Sequence, residues 1–207
     1  MPTLQAPPAP AGNTDSLRKR ALASLSTLPP FSPILSKLMA SLAGEDVSFL
    51  VDLRRDLHRH PELSWKEHRT SARLADVVKS LGAVDIRTVA NTGVVARFAG
   101  RDRRAPLVAV RGDIDALPIE EATGLPFTSA SPGVMHACGH DIHGTWAVGA
   151  ALLLARQPAA GDVLVVLQPA EEVGEGAKAI LDTGALDDVK PSSADTWIVA
   201  SPSVRSS

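Results

Sequence analysis

Two unbroken apolar runs, at residues 107–110 and 163–167, constrain the fold of this chain more than any other feature of its sequence. Runs of this kind are typical of strands that a parallel sheet buries on both faces. Between them, residues 145–154 are apolar nearly all round, and the segment is long enough for a core helix. A third strand is predicted to begin at 197–199. Buried strands that alternate with helices predict an α/β fold with a mixed, largely parallel sheet flanked by helices.

Shorter elements are predicted on either side of this framework. Apolar residues recur at helical spacing from Val47 to Leu57, and Pro61 ends that helix. Spacing and turn residues predict further helices at about 67–81 and 176–181, and a hairpin of strands 85–89 and 94–98 around the turn 91–93.

Composition divides the chain into three segments. Residues 1–44 are rich in Pro, Ala and Ser and are predicted to form a flexible, disordered extension. Residues 45–190 hold the predicted elements and form the expected domain. Residues 191–207 make up a separate tail.

The overall composition excludes several partners. The net charge is -2, aromatic residues are 3% of the chain, and no basic run is interleaved with aromatics, so neither nucleic acid nor a membrane is an expected partner. No segment approaches the roughly 20 apolar residues that a membrane span needs. The single cysteine rules out an internal disulfide, and the expected location is the cytoplasm.

Polar clusters stand at the ends of the predicted buried strands and before the core helix. Because ligands collect outside the carboxyl ends of the strands in an open α/β sheet, we expect these clusters to converge. The first follows strand 107–111, the second precedes the core helix, and the third follows strand 163–168. Their members are Asp113 and Asp115; His136, Cys138, His140, Asp141 and His143; and Glu171 and Glu172.

The chemistry of these clusters suits a metal site. Cys138 and His140 are two residues apart, so both can face the same side of an extended or turn segment. Thiolate and imidazole suit zinc, and carboxylates serve zinc and manganese alike. One of the paired glutamates can bind the metal while its neighbour takes a proton from a water molecule that the metal activates.

Each residue also has a simpler interpretation. A lone cysteine is usually a packing residue, and a pair of glutamates on a loop is usually solvated. His58 and His60 lie beside a helix end, where a surface or supporting role is expected. His143 and Asp141 can start or cap the core helix, and the two aspartates can be turn residues. Only the joint occurrence of the clusters at successive elements favours the metal site.

Four segments carry a resemblance to a known family. The chain resembles the aminoacylase and carboxypeptidase metallohydrolases, in the amidohydrolase branch that contains hippurate hydrolase and the indoleacetyl-amino-acid hydrolases. The resemblance covers about residues 46–188. The matching segments are 57–64 (LHRHPELS), 111–119 (RGDIDALPI), 135–141 (MHACGHD) and 168–172 (QPAEE).

The resemblance implies a metallopeptidase-type domain with two divalent metal ions, zinc or manganese with cobalt also possible, that cleaves the amide of an N-acyl amino acid or related small molecule. It assigns Cys138, His140 and Glu172 as metal ligands and Glu171 as the general base. It gives a supporting role to a second set of residues: Asp113, Asp115, Asp141 and His143.

The resemblance also implies parts that this sequence lacks. Members of the family continue to two more histidine ligands and to a smaller dimerisation or lid domain, whereas no histidine follows His143 here. Residues 191–207 are unlike the family, as in a truncated chain, although a homo-oligomer is still possible. A non-catalytic remnant with weak metal binding is therefore an alternative to an active hydrolase. A Cys138 nucleophile acting with His140 is a third reading, which leaves the paired glutamates without a role.

Overall fold

The computed structural model describes residues 41–189 and the backbone of residues 198–199. Its sheet contains the strands β1 (Asp85–Val89), β2 (Gly93–Phe98), β3 (Val108–Asp113), β4 (Val163–Gln168) and β5 (Ile198–Val199). The strands lie in the order β1-β2-β4-β3-β5. β3 pairs in parallel with β4 and β5, while β2 pairs antiparallel with β1 and β4. The predicted mixed α/β sheet is confirmed, and its parallel part comprises β3, β4 and β5.

The described helices are α1 (Gly44–Arg59), α2 (His68–Ser80), α3 (His140–Arg156) and α4 (Gly176–Asp182). α1 begins with acidic residues, and Asp46 accepts a hydrogen bond from the backbone N–H of Ala43. α1 ends just before Pro61, as the sequence predicts. None of the helices in the described part of the chain is both long and apolar enough to cross a membrane.

The core lies on both faces of the sheet. On one face α1, α2 and α3 pack a continuous apolar cluster against alternate residues of β2 and β4, such as Val94, Val165 and Leu167. On the other face, Leu164 and Val166 pack with Ile180 of α4. Because successive side chains of a strand point to opposite faces, β4 is buried along its whole length, as its unbroken apolar run predicts.

Three details differ from the sequence-based expectations. β3 is only half-buried over Val108–Arg111. Gly93 begins β2, and the hairpin turn is formed by the residues before it, including Asn91 in the left-handed region. α3 starts at His140, so His140, Asp141 and His143 form its first turn, whereas His136 and Cys138 precede the helix as expected.

The predicted extension and tail fall largely outside the described residues, which exclude 1–40, 190–197 and 200–207. Both assignments therefore stay predictions.

Candidate metal centre

The three polar clusters converge at one edge of the sheet. β3 and β4 run in parallel with Asp113 opposite Gln168, so their carboxyl ends lie side by side. The first turn of α3 packs against β3 at Gly112, where an added Cβ would overlap the carbonyl oxygen of His143. This close approach, which only glycine permits, brings the ends of β3, β4 and α3 together as expected.

One group of donor atoms comes from the predicted metal ligands. The Sγ of Cys138, a ring nitrogen of His140 and a carboxylate oxygen of Glu172 all lie within 4.8 Å of one another. His140 is buried, Glu172 is partly buried, and Cys138 is exposed at the mouth of the site. A cation placed among these atoms would meet a thiolate, an imidazole and a carboxylate, the donor set that suits zinc.

The charge around Cys138 also fits a cation. Burial raises the pKa of the Cys138 thiol, and the negative charges of Glu172, Glu171 and Asp113 raise it further. Burial likewise raises the pKa of Glu172, with Asp115 and Glu171 adding to the rise against the opposing effect of His140. A divalent ion would offset this concentration of negative charge and favour the ionised ligands.

The ring of His140 is oriented by Asp115. Its Nδ1 lies 2.9 Å from the backbone oxygen of Asp115 and 3.1 Å from Oδ1 of the same residue. Both partners are acceptors, so Nδ1 donates and Nε2 keeps its lone pair for a metal. Burial lowers the pKa of His140, but the hydrogen bond and charge of Asp115 outweigh that effect and raise it.

Asp115 also fixes the loop that carries the paired glutamates. Its Oδ2 accepts hydrogen bonds from Ser64 Oγ at 2.7 Å and from the backbone N–H of Glu172 at 3.0 Å. Burial raises the pKa of Asp115, yet the hydrogen bonds from His140, Glu172 and Ser64 together hold it below the ordinary value. Its contacts therefore suit the predicted supporting role.

A second group of donor atoms contains two residues for which only support was expected. Donor atoms of Asp113, His140 and His143 also lie within 4.8 Å of one another, and all three residues are buried. His143 Nδ1 is 3.5 Å from Asp113 Oδ2. Arg111 holds the other oxygen of Asp113 at 2.8 Å. Asp113 and His143 are thus close enough to His140 for the three residues to hold a cation together.

Glu171 lies near the imidazole of His140. Its Oε2 lies 3.6 Å from His140 Nε2, and its side chain is 39% exposed. An accessible carboxylate beside the ligand atoms is where a general base can reach both a water molecule and a substrate.

The side chain of Asp141 contacts α1. Its Oδ2 lies 2.7 Å from Arg54 Nε and 2.8 Å from His58 Nδ1, so it ties the first turn of α3 to α1. The other ring nitrogen of His58 lies 3.1 Å from Glu121 Oε1. Burial raises the pKa of Glu121, but hydrogen bonds from Thr123, Ser129 and His58 bring it down to about 2.

Sequence reasoning missed most of this supporting layer. It assigned no role to Arg54 or Glu121, and it left His58 as a surface or supporting residue; the structure buries His58 between two carboxylates. It also gave no role to His136, which is buried with neither ring nitrogen hydrogen-bonded in the described part of the chain. Burial lowers the pKa of His136 to about 4. The only sequence signal for these residues is their place within or near the matching segments.

Comparison with protein-family models matches residues 109–206 to peptidase family M20/M25/M40. The matched range includes most of the segment 191–207, which was expected to be unlike the family.

Curated proteins and solved structures agree with this match. The chain is 45% identical over 142 residues to N-acetyl-L-cysteine deacetylase of Bacillus subtilis, covering 68% of this chain and 34% of the relative. It is 43% identical over 148 residues to an IAA-amino acid hydrolase of Arabidopsis thaliana, covering 70% and 32%. A dinuclear metal binding peptidase of Bacillus subtilis from the M20 family superposes with a TM-score of 0.66 at 44% identity, covering 69% and 41%. The chain therefore spans between 32% and 41% of the length of these relatives.

Proposed function

Because this chain belongs to peptidase family M20/M25/M40, we propose that it carries part of the catalytic site of a metal-dependent amidohydrolase. The observation that carries the proposal is the convergence of Cys138, His140 and Glu172 beside the accessible carboxylate of Glu171. The bond cleaved is the amide between an acyl group and the nitrogen of an amino acid.

In this proposal the residues of the chain have distinct roles in binding the metal and transferring protons. Cys138, His140 and Glu172 would hold a divalent cation, and Asp113 and His143 form a second possible group of ligands with His140. When bound, the cation supplies Lewis acidity, which makes water a better nucleophile and polarises the substrate carbonyl.

Glu171 carries out the proton transfer. Its carboxylate accepts a proton from the attacking water and returns that proton to the amine nitrogen as the amide bond breaks. Asp115 keeps the Nδ1–H of His140 engaged, so the ring stays in one orientation throughout.

The substrate class is proposed from the relatives, one of which deacetylates N-acetyl-L-cysteine while another hydrolyses an IAA-amino acid. We propose an N-acyl amino acid or a related small amide, with hippurate as a convenient example. The ligand types favour zinc or manganese, with cobalt as a possible substitute, and two ions per site. The cytoplasmic location and a homo-oligomeric state remain predictions.

A second candidate is a chain that binds a cation without turning substrate over. The observation in its favour is that each donor group in the described residues supplies only three ligand atoms. Nucleophilic catalysis by Cys138 is disfavoured, since burial and the surrounding carboxylates raise its pKa and oppose the reactive thiolate.

The test is hydrolysis of hippurate by the purified chain with Zn²⁺ or Mn²⁺. We expect turnover that Glu171→Gln abolishes and that the matched control Glu45→Gln, a change on the exposed start of α1, leaves intact. Binding of metal without turnover by the unmodified chain would favour the second candidate.

A further inference from the structure

Glu67 is a carboxylate with no exposed surface, and it lies outside the donor groups described above. It precedes α2, far from Glu171 and Glu172 in the sequence. Burial of a carboxylate is costly unless each oxygen has a hydrogen-bond donor. The partners that Glu67 uses therefore indicate what the residue is for.

The two oxygens of Glu67 accept hydrogen bonds from two loops, the loop that carries the paired glutamates and the β1–β2 turn. Oε1 accepts a hydrogen bond from the backbone N–H of Ala170 at 2.9 Å. Oε2 accepts one from the hydroxyl of Thr92, in the β1–β2 turn, at 2.6 Å. Ala170 is the residue directly before Glu171, so Glu67 holds the peptide from which the proposed general base projects.

The backbone at Ala170 needs such support. Ala170 has a φ of 51°, in the left-handed region that residues with a side chain seldom adopt. Its carbonyl oxygen accepts hydrogen bonds from the backbone N–H groups of Glu175 and Gly176. An added Cβ at Gly176 would overlap the carbonyl oxygen of Pro169, so the turn is tightly closed on that side. Glu67 accepts the hydrogen bond from the backbone N–H of Ala170 itself.

Neighbours of Glu67 reinforce the same turn. Trp65 donates from its Nε1 to Glu175 Oε2 at 2.9 Å. Ser64 donates to Asp115, which in turn accepts the backbone N–H of Glu172. The segment 64–67 therefore forms hydrogen bonds with the turn 169–176 near both its start, at Ala170, and its end, at Glu175.

From these contacts we propose that Glu67 is the positioning residue that sets where Glu171 and Glu172 stand relative to His140. The inference rests on the proposed function only for the roles of those residues; the positioning itself is a property of the chain. Glu67 touches neither the substrate nor the cation in this account.

The test compares Glu67→Ala with Glu67→Gln in the full chain. Alanine leaves the Ala170 N–H and the Thr92 hydroxyl without their acceptor, so the turn loosens. Glutamine restores both contacts, because its oxygen accepts from Ala170 and its amide donates to the oxygen of Thr92. The matched control is Glu62→Ala, which also removes a carboxylate that accepts two hydrogen bonds, in this case from the backbone N–H groups of Arg69 and Thr70 of α2.

The first readout needs no metal. Amide hydrogen exchange over residues 170–173 is expected to be at least about tenfold faster in Glu67→Ala than in the unmodified chain, since local opening governs exchange. Glu67→Gln and Glu62→Ala are expected to exchange there at the unmodified rate. Equal exchange in the unmodified chain and Glu67→Ala would overturn the proposal, and so would acceleration in Glu62→Ala as large as in Glu67→Ala.

The second readout is Zn²⁺ affinity by calorimetry. We expect affinity to fall by about tenfold in Glu67→Ala and to recover in Glu67→Gln, as for other residues that orient metal ligands. Unchanged affinity in Glu67→Ala would remove the link between Glu67 and the metal ligands. If the unmodified chain bound no Zn²⁺, the proposed function would fail, and the exchange experiment would still decide the positioning role.

Discussion

The Nδ1 atom of His140 lies 3.1 Å from Oδ1 of Asp115, a fully buried carboxylate whose other oxygen accepts the backbone N–H of Glu172. One side chain therefore orients a proposed ligand from α3 and fixes the backbone of another from the loop after β4. We therefore expect the distance between these two proposed ligands to depend on Asp115.

Asp115→Asn is expected to weaken Zn²⁺ binding by about 10–100-fold, the usual cost of losing a group that orients metal ligands. An asparagine oxygen can still accept from His140, but its amide group then faces the N–H of Glu172, where two donors meet. Calorimetric titration measures the change. Ser64→Ala, which removes only one contact to Asp115, serves as the control and is expected to cost less; equal affinity in Asp115→Asn and the unmodified chain would rule out this role.

The acid sensitivity of the domain is expected to depend in part on Glu121. Hydrogen bonds lower its pKa from 4.5 to about 2 in the folded chain, against the effect of burial. A carboxyl with a depressed pKa stabilises the fold fully above pH 4.5, and this contribution disappears as the pH falls toward 2.

Urea unfolding at several pH values tests that expectation with Glu121→Gln. The variant is expected to unfold at lower urea than the unmodified chain at pH 6, with the difference shrinking as the pH falls below 4.5. Glu120→Gln, next in the chain but bonded to the N–H of Gly133, is the control. A difference that is the same at all pH values would contradict the assignment.

The contact between β3 and α3 is expected to tolerate no side chain at Gly112. In Gly112→Ala the new Cβ would overlap the His143 carbonyl oxygen and come within 3.0 Å of the Ala147 side chain. We expect a loss of about 1–3 kcal/mol in the free energy of unfolding, typical of overpacking. Gly44→Ala, where an added Cβ meets nothing within 4 Å, should unfold like the unmodified chain; a neutral Gly112→Ala would contradict the close approach.

Sequence patterns predicted the buried strands and helices because the burial of an element is reflected in the apolar residues of that same segment. The run 163–167 is apolar without a break, and in the structure β4 is buried on both faces. The placement of Asp113, His140 and Glu171 at one edge followed from the general position of ligand sites in α/β sheets. In each case neighbouring residues along the chain carried the information.

Contacts between distant segments could not be predicted in this way, because no local pattern marks them. His58 and Asp141 are 83 residues apart, and His58 and Glu121 are 63 apart, yet they form one buried cluster. Glu121 lies in a segment with no periodic pattern, so its inward direction depends on how the whole loop packs.

Binding of a divalent cation by Cys138 and its neighbours is tested most directly by titrating the unmodified chain with Co²⁺ and recording its absorption. The sequence contains one cysteine, so a thiolate-to-cobalt charge-transfer band can come only from Cys138. We predict that this band appears on titration, that it is lost in Cys138→Ser, and that it weakens in His140→Gln. Cobalt binding without the band, or equal affinity in Cys138→Ser and the unmodified chain, would contradict the account.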